Sequence, residues 1–265
     1  IVLNFQNKNV ANLPLDALSD EAPIYDREWT KSPNLKKINP LNDYKNLDLL
    51  DSVKKILLSS NNSEKSWIWE QYDHTVMGDT MQKPGGDAGV IRIHKKNKGV
   101  ALTVDSSAHY CLANPTAGGK QVVCEAWRNL ISVGSKPIAI TNCLNFGNPE
   151  KKEIMGQFVE TIEGISQACR YLDFPVVSGN VSFYNETNNK AISPTPTIGG
   201  VGLIKNLQNM ITKDFKEIDS NILVIGKTLG HLNQSEFFKE VLNFFEGPPP
   251  EINLFNEKNN GLLVQ

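Results

Sequence analysis

The sequence predicts an α/β protein, and three observations carry that expectation. The segments "AGVIRIHKK" and "GVALTVDSS" flank Asn97-Lys98-Gly99, the mark of a β-hairpin. The stretch "EKKEIMGQFVETIEGISQACRYL" sets Ile154, Phe158, Ile162, Ile165, Cys169 and Leu172 on one stripe, with Lys and Glu opposite, as an amphipathic helix requires. The apolar runs "PIAITNCL" and "FPVVSGNVSF" bracket that helix and read as strands. Hairpin, helix, strand, helix and strand in succession is the order of a layered α/β domain.

From the first residue on, 1–23 reads as short strands, "IVLNF" and "VANLP", around a turn at Asn7–Asn9. Residues 24–62 read as a linker punctuated by Pro33 and Pro40. It holds one helix, in which Leu49, Leu50, Val53, Ile56 and Leu57 recur at helical spacing and Asp48 can cap the start. Residues 63–212 form the main domain. There, Gly118-Gly119 is expected to open the helix "KQVVCEAWRNLISV". Gly134 ends that helix, and Pro137 stands three residues beyond. "PIAITNCL" is expected as a buried strand. Residues 213–265 read as the start of another domain. "NILVIGK" is its strand, Ser235 caps the helix "EFFKEVLNFF", Gly247-Pro248-Pro249-Pro250 stops that helix, and "NNGLLVQ" is a further strand. No internal repeat is visible.

Length and composition bound the function. A chain of 265 residues can bury a real core in one large or two modest domains. A 40% apolar fraction and a formal net charge of −2 give no basic surplus for nucleic acid or anionic membrane. No apolar run reaches the roughly 18 residues of a spanning helix, and "IVLNFQNKNV" lacks the pattern of a signal peptide. Cys111, Cys124, Cys143 and Cys169 form no C-x-x-C pair, and no His stands at zinc-ligand spacing. Reduced thiols in a cytoplasmic protein are the expectation.

The stretch "VVSGNVSFYNETNNKAISPTPTIGGVGL" (176–203) holds the candidate site. It begins as a strand and is expected to break at Gly179-Asn180. It then presents Ser182, Tyr184, Asn185 and Glu186, and closes on a strand containing Gly199, Gly200 and Gly202. Ligands of open α/β sheets sit at the carboxyl ends of strands, and Asn and Glu oxygens are hard ligands of the kind Mg²⁺ prefers. A hairpin whose Asn and Gly residues only supply turn conformations fits the same letters.

Several longer motifs decide between these readings. "LPLDALSDEAPIYDR" (13–27), "YDHTVMGDTMQKPGGDAGVIRI" (72–93), "LTVDSSAHY" (102–110), "GGKQVVCEAWRNLISVGSKPIAITNCLNFGNPEK" (118–151), "SGNVSFYNET" (178–187) and "HLNQSEFF" (231–238) occur in that order. In order and spacing they resemble the formylglycinamidine ribonucleotide synthase family in its small bacterial synthetase-subunit form, across essentially the whole chain. The resemblance implies an AIR synthase-like (PurM N-terminal-type) domain, with a mixed β-sheet flanked by helices, over 63–212. Before it would come the end of a PurM C-terminal-like domain (1–23), and after it the start of a second one (213–265). On that resemblance the chain is expected to be a fragment that begins late in the family's first B domain.

The same resemblance implies a role in purine synthesis: ATP phosphorylates the amide oxygen of formylglycinamide ribonucleotide, and ammonia displaces the phosphate. It places Asn142 and Gly179 on ATP, Asn180 on Mg²⁺ and Ser182 on the formylglycinamide substrate. Asn142 departs from the Asp that many relatives carry. The family's catalytic histidines lie in its first A domain, so no catalytic residue is expected in this chain. Implied partners are the glutaminase subunit PurQ and the bridging subunit PurS. A homodimer through the sheet face, around Ile198–Leu203 and Val90–Ile93, is expected if the paired A domain is absent.

The residues themselves agree with three of the four assignments. Gly179 lets backbone approach a ligand, the Asn180 amide oxygen is a neutral Mg²⁺ ligand, and the Ser182 hydroxyl can donate or accept. Asn145, Gly147 and Asn148 either line the pocket or shape the turn before Pro149. Asp87 reads as a structural turn residue. Asp105 with His109 and Tyr110 carries no expected phosphate clamp, and Gly118-Gly119 fits a tight helix start better than a phosphate cradle. His74, His94 and His231 show no metal spacing. Other AIR synthase-superfamily ATP enzymes, or a non-catalytic dimerising module, are the competing readings.

Overall fold

A computed structural model describes residues 1–38, 46–227 and 230–264. Pro40 and the rest of 39–45 in the expected linker, residues 228–229 and Gln265 lie outside them. The elements run β1 (Val2–Phe5), β2 (Lys8–Asn12), α1 (Leu49–Leu57), α2 (Ser66–Glu70), β3 (Thr80–Gln82), β4 (Gly89–Arg92), β5 (Gly99–Ser106), α3 (Ala108–Ala113) and α4 (Pro115–Ser132). They continue with β6 (Lys136–Asn145), α5 (Lys152–Leu172), β7 (Val176–Ser182), β8 (Glu186–Thr187), β9 (Lys190–Ala191), β10 (Thr195–Ile204) and α6 (Leu254–Val264).

The centre is a six-stranded mixed sheet in the order β3-β4-β5-β10-β6-β7. Its pairs are antiparallel except β6 with β7, which run parallel and are joined across the sheet by α5. One face is covered by α4 and α5. Alternation along β10 sends Pro196, Ile198, Gly200, Gly202 and Ile204 into that layer. There they meet Ala101, Ile140 and Leu144 of neighbouring strands, and Val122, Ala126, Leu130, Ile165 and Ala168 of the helices. Each fully buried Ile or Leu in such a layer contributes about 1.5–3 kcal/mol. The opposite face is open and exposes Ile91, Leu102, Val104 and Ile138.

The hairpin, the α1 helix with its Asp48 cap and the α5 stripe form as expected. The Asp48 carboxylate accepts from the Asp51 N–H at 2.8 Å. The segment before α1 docks on α5. The Thr30 N–H donates to the Lys152 carbonyl at 3.1 Å, and the Ser32 N–H donates to buried Glu160 at 2.9 Å.

Several expectations are corrected. Gly118 and Gly119 do not open α4. Asn114 caps it, accepting from the Ala117 N–H, and Pro115 is the first helical residue. The glycines serve close packing instead: a Cβ on Gly118 would lie 2.5 Å from the Cys111 nitrogen, and one on Gly119 would lie 2.5 Å from the Thr161 carbonyl oxygen. β6 is half-buried by alternation rather than buried throughout, because only one sheet face is covered. β7 does not break at Gly179-Asn180 but continues to Ser182, held in parallel register by β6. It is the outer strand and largely exposed, not buried.

"NILVIGK" forms no strand. Ile222, Leu223 and Val224 are exposed, and no strand pairs with them among the described residues. "EFFKEVLNFF" forms only one wide helical turn, Phe237–Val241, in which Leu242 bonds back five residues to Phe237. Ser235 does cap it, accepting from the Phe238 N–H at 3.2 Å. The described part of "NNGLLVQ", residues 259–264, lies in α6 rather than in a strand. Asn253 accepts from the Asn256 N–H there, and Gly261 presses against the Trp127 ring, where a Cβ would come within 2.1 Å. Arg128 pairs with Glu257 of α6 at 2.6 Å.

Candidate functional site

Topology brings the carboxyl ends of β5, β6 and β7 to one end of the sheet, together with the start of β10. Parallel register sets Asn142 beside Gly179, Cys143 beside Asn180 and Asn145 beside Ser182. All four residues expected in the site therefore lie within one short stretch of two adjacent strands.

Alternation divides them between the two faces. Asn142 falls between buried Ile140 and Leu144 and pairs with buried Ile198, so Asn142 and Gly179 belong to the helix side. Asn180 and Ser182 share the open side with Cys143, Asn145 and Thr197. Because β7 is the edge, the two pairs are separated only by the thickness of one exposed strand. Gly179 has no room for a side chain: a Cβ would stand 2.1 Å from Asn142 Oδ1 and 2.9 Å from the Asn142 carbonyl oxygen. Asn180 is exposed.

The loops behind these strand ends are tied down. Tyr184 adopts a left-handed φ of 61°, uncommon for an aromatic residue. Its N–H donates to the Gly147 carbonyl at 3.0 Å, and its hydroxyl to Glu150 at 3.2 Å. Glu186 accepts from Lys151 Nζ at 2.8 Å and from the Asn148 N–H at 3.1 Å. These bonds, Lys151 first, hold its carboxyl below the usual range. Glu186 and Asn148 thus shape the loop, and Gly147 is required there because a Cβ would meet Ala191 at 2.5 Å. Asn145 Nδ2 donates to the Cys143 carbonyl at 3.3 Å.

A second feature escaped the sequence reading. A cavity of about 860 Å³ at the other flank of the sheet is lined by Trp69, Asp87, Asp105, Glu125 and Asn129, among others. Asp105 accepts from Thr103 Oγ1 at 2.9 Å and from Asn129 Nδ2 at 2.7 Å. Burial, reinforced by Glu125, pushes its carboxyl up to about 6. His109 lies on α3 with its ring against Tyr110, and burial lowers its pKa.

The residues fit Mg²⁺ only as a contributor. Among the described residues no group of three or more His, Cys, Asp or Glu is placed to hold a metal, and Asn180 offers one neutral oxygen. That suits an ion carried in on phosphates. The four cysteines are unpaired. Burial pushes the thiols of Cys111 and Cys124 up to about 12 and that of Cys169 to about 11, so they stay protonated. Among the described residues no helix is long and apolar enough to cross a membrane.

Sheet order, covering helices and polar strand ends together make a layered α/β domain whose candidate site lies at one end of a mixed sheet. Residues 85–204 match the family described as AIR synthase related protein, N-terminal domain. Over all 265 residues the chain is 61% identical to phosphoribosylformylglycinamidine synthase subunit PurL of Pelagibacter ubique, covering 100% of this chain and 36% of that relative. It also resembles solved structures of T. maritima PurL. The ATP complex gives a TM-score of 0.55 at 30% identity, covering 78% of this chain and 31% of the other. The FGAR complex gives 0.57 at 31% identity, with coverage of 78% and 31%. The chain spans about a third of the length of the curated relatives it matches.

Proposed function

We propose that this chain supplies the nucleotide, metal and substrate half of a phosphoribosylformylglycinamidine synthase site. The reaction joins glutamine-derived ammonia to formylglycinamide ribonucleotide at the expense of ATP, through an iminophosphate. The observation that carries the reading is the β6–β7 register, which sets Asn142, Gly179, Asn180 and Ser182 side by side at the sheet's carboxyl end. Similarity to PurL along the whole chain supports it.

In this reading Gly179 gives the nucleotide close access to backbone, and Asn142 contacts it from the same face. Asn180 would offer one oxygen to Mg²⁺, whose chemistry there would be to neutralise phosphate charge. Ser182 binds the substrate on the open face. Residues 63–212 are the second A domain, 1–23 and 213–265 are parts of the flanking B domains, and the catalytic histidines lie in a first A domain. PurQ and PurS are the partners that deliver ammonia, in the cytoplasm. The chain alone therefore binds but does not turn over.

Calorimetric titration of the purified chain with MgATP tests this, with Asn180→Ala as control. Asn180 is exposed, so the substitution leaves the fold intact. Binding abolished by the substitution is the expected result. Binding indifferent to it removes Asn180 from the site.

The open sheet face favours a second property. Leu102 is 45% and Val104 74% exposed there, and an apolar sheet face of this kind favours association. The face is made of Ile91, Leu102, Val104 and Ile138, whereas Val90 and Ile198 point into the helix layer. We infer a homodimer of the isolated chain through this face. A strictly monomeric mass in sedimentation at micromolar concentration overturns it.

A further inference from the structure

We propose that Asn185 is a positioning residue that turns the Ser182 hydroxyl into a hydrogen-bond donor aimed at an oxygen of the bound substrate. The proposal rests on the reading of Ser182 given above. It begins with the backbone. The left-handed Tyr184 reverses the chain two residues after β7 ends, and such strained conformations persist where surrounding bonds over-determine them. Here those bonds are Tyr184 N–H to Gly147 O and Tyr184 hydroxyl to Glu150. The reversal folds the Asn185 carboxamide back onto the ends of β6 and β7.

The carboxamide has only one sensible orientation. Its Nδ2 lies 3.0 Å from the Phe146 carbonyl oxygen and 2.9 Å from the Ser182 carbonyl oxygen. The opposite assignment would face an oxygen against two carbonyls, so the hydrogen-bond network settles it. Nδ2 is also 3.2 Å from Ser182 Oγ, while Oδ1 is 3.4 Å from it. The shorter contact is the N–H donation, and the longer lies at the edge of useful geometry. One Nδ2 proton serves the Phe146 carbonyl, and the other is shared between the Ser182 carbonyl and its Oγ, so Ser182 Oγ accepts from Asn185. Its own proton remains available on the open face, beside Asn180 and Asn145. A hydroxyl so held presents a donor, suited to an amide or phosphate oxygen. Rotated onto Oδ1 it would present lone pairs and meet such an oxygen unfavourably. Neighbouring Glu186 cannot play this part, because Lys151 and the Asn148 N–H occupy its carboxylate.

The test is a double-mutant cycle in the intact synthetase subunit, with KM and kcat measured separately for formylglycinamide ribonucleotide and for MgATP. Asn185→Ala is expected to raise the substrate KM roughly tenfold, the loss of one oriented hydrogen bond. The MgATP KM should stay within about twofold, the usual limit of independence between sites. In a Ser182→Ala background, Asn185→Ala should add nothing further. Asn185→Asp keeps the shape but replaces the donor with an acceptor, and it serves if the Ala variant is unstable. Additive losses, equal damage to MgATP and substrate, or failure of both Asn185 variants to fold would each reduce Asn185 to a structural staple and overturn the proposal. Ser182→Ala with an unchanged substrate KM would instead overturn the assignment of Ser182 itself.

Discussion

Gly179→Ala separates packing from ligand access at the candidate site. Gly179 is not among the glycines with positive φ, so alanine is tolerated by the backbone, and the question is purely steric. The new Cβ would stand 2.1 Å from Asn142 Oδ1, 2.8 Å from Asn142 Cγ and 2.9 Å from the Asn142 carbonyl oxygen. The side chain can swing away at about 1 kcal/mol for an unfavourable rotamer. The carbonyl cannot, so β6 and β7 must part by about half an ångström to restore ordinary contact, costing roughly another 1–2 kcal/mol as overpacking does. Lower entropy of the unfolded alanine chain returns about 0.5 kcal/mol. The expected net loss is about 2 kcal/mol. In an Asn142→Ala background only the carbonyl contact remains, and the loss should fall to about 1 kcal/mol. Urea denaturation of the four proteins reads both numbers. Additivity within about 0.5 kcal/mol would show that Asn142 does not occupy the space of the missing side chain. MgATP titration of the same set then shows whether the two residues also act together on nucleotide.

Two further predictions concern stability. Asp105 is held at about 6 in the folded protein against an ordinary 3.8, so the native state binds the proton more tightly than the unfolded chain. The penalty is absent below pH 3.8, grows as pH rises and is complete above pH 6. A gap near two units sets a ceiling of about 3 kcal/mol, which solvent screening reduces to about 1–2 kcal/mol. Asp105→Asn keeps the Asn129 donation on its Oδ1 and reverses the Thr103 bond, with its own Nδ2 donating to Thr103 Oγ1. It should be more stable than wild type by that amount at pH 8 and equal to it below pH 3.8 in denaturant titrations. Gly164→Ala should destabilise despite its gain of about 1 kcal/mol in helix propensity. Its Cβ would meet the Thr116 carbonyl oxygen at 2.1 Å and Thr116 Cα at 3.1 Å, backbone atoms that move only if α4 and α5 separate. A net loss of about 2–3 kcal/mol, near 6–8 °C in melting temperature, is expected. An unchanged melting temperature refutes the close crossing.

What the sequence made legible was local. The α5 stripe, the hairpin at Asn97-Lys98-Gly99 and the Asp48 cap all depend on residues within one or two turns of each other, and all form. Expectations failed where a distant partner decides. The doublet Gly118-Gly119 resembles a helix start, but its use is to let Cys111 and Thr161 approach α4, which no local pattern records. "NILVIGK" has β-propensity and no strand beside it among the described residues. Residues 259–264 carry strand letters, yet they close the helix that Asn253 caps at its start, and Gly261 fits the Trp127 ring.

The candidate site shows the same division more sharply. Its residue types could be read from "SGNVSFYNET" and from the family resemblance. The sharing of residues between two sheet faces could not, because facing follows from β6–β7 register and not from β7 alone. A break at Gly179-Asn180 would have freed the Asn180 and Ser182 side chains from the alternation of β7, to join Asn142 on one side. The continuous strand instead puts Asn142 and Gly179 on the helix side, and Asn180 and Ser182 on the open side. A nucleotide contacting the first pair while its metal reaches Asn180 must therefore cross the exposed edge of β7. In the proposed site that edge would be part of the binding surface, and among the described residues no further strand pairs with it. On this geometry, mutations that alter nucleotide binding should cluster on both faces of β7 and spare the interior strand β10, whose Gly200 and Gly202 already press against Leu130 and Ser135.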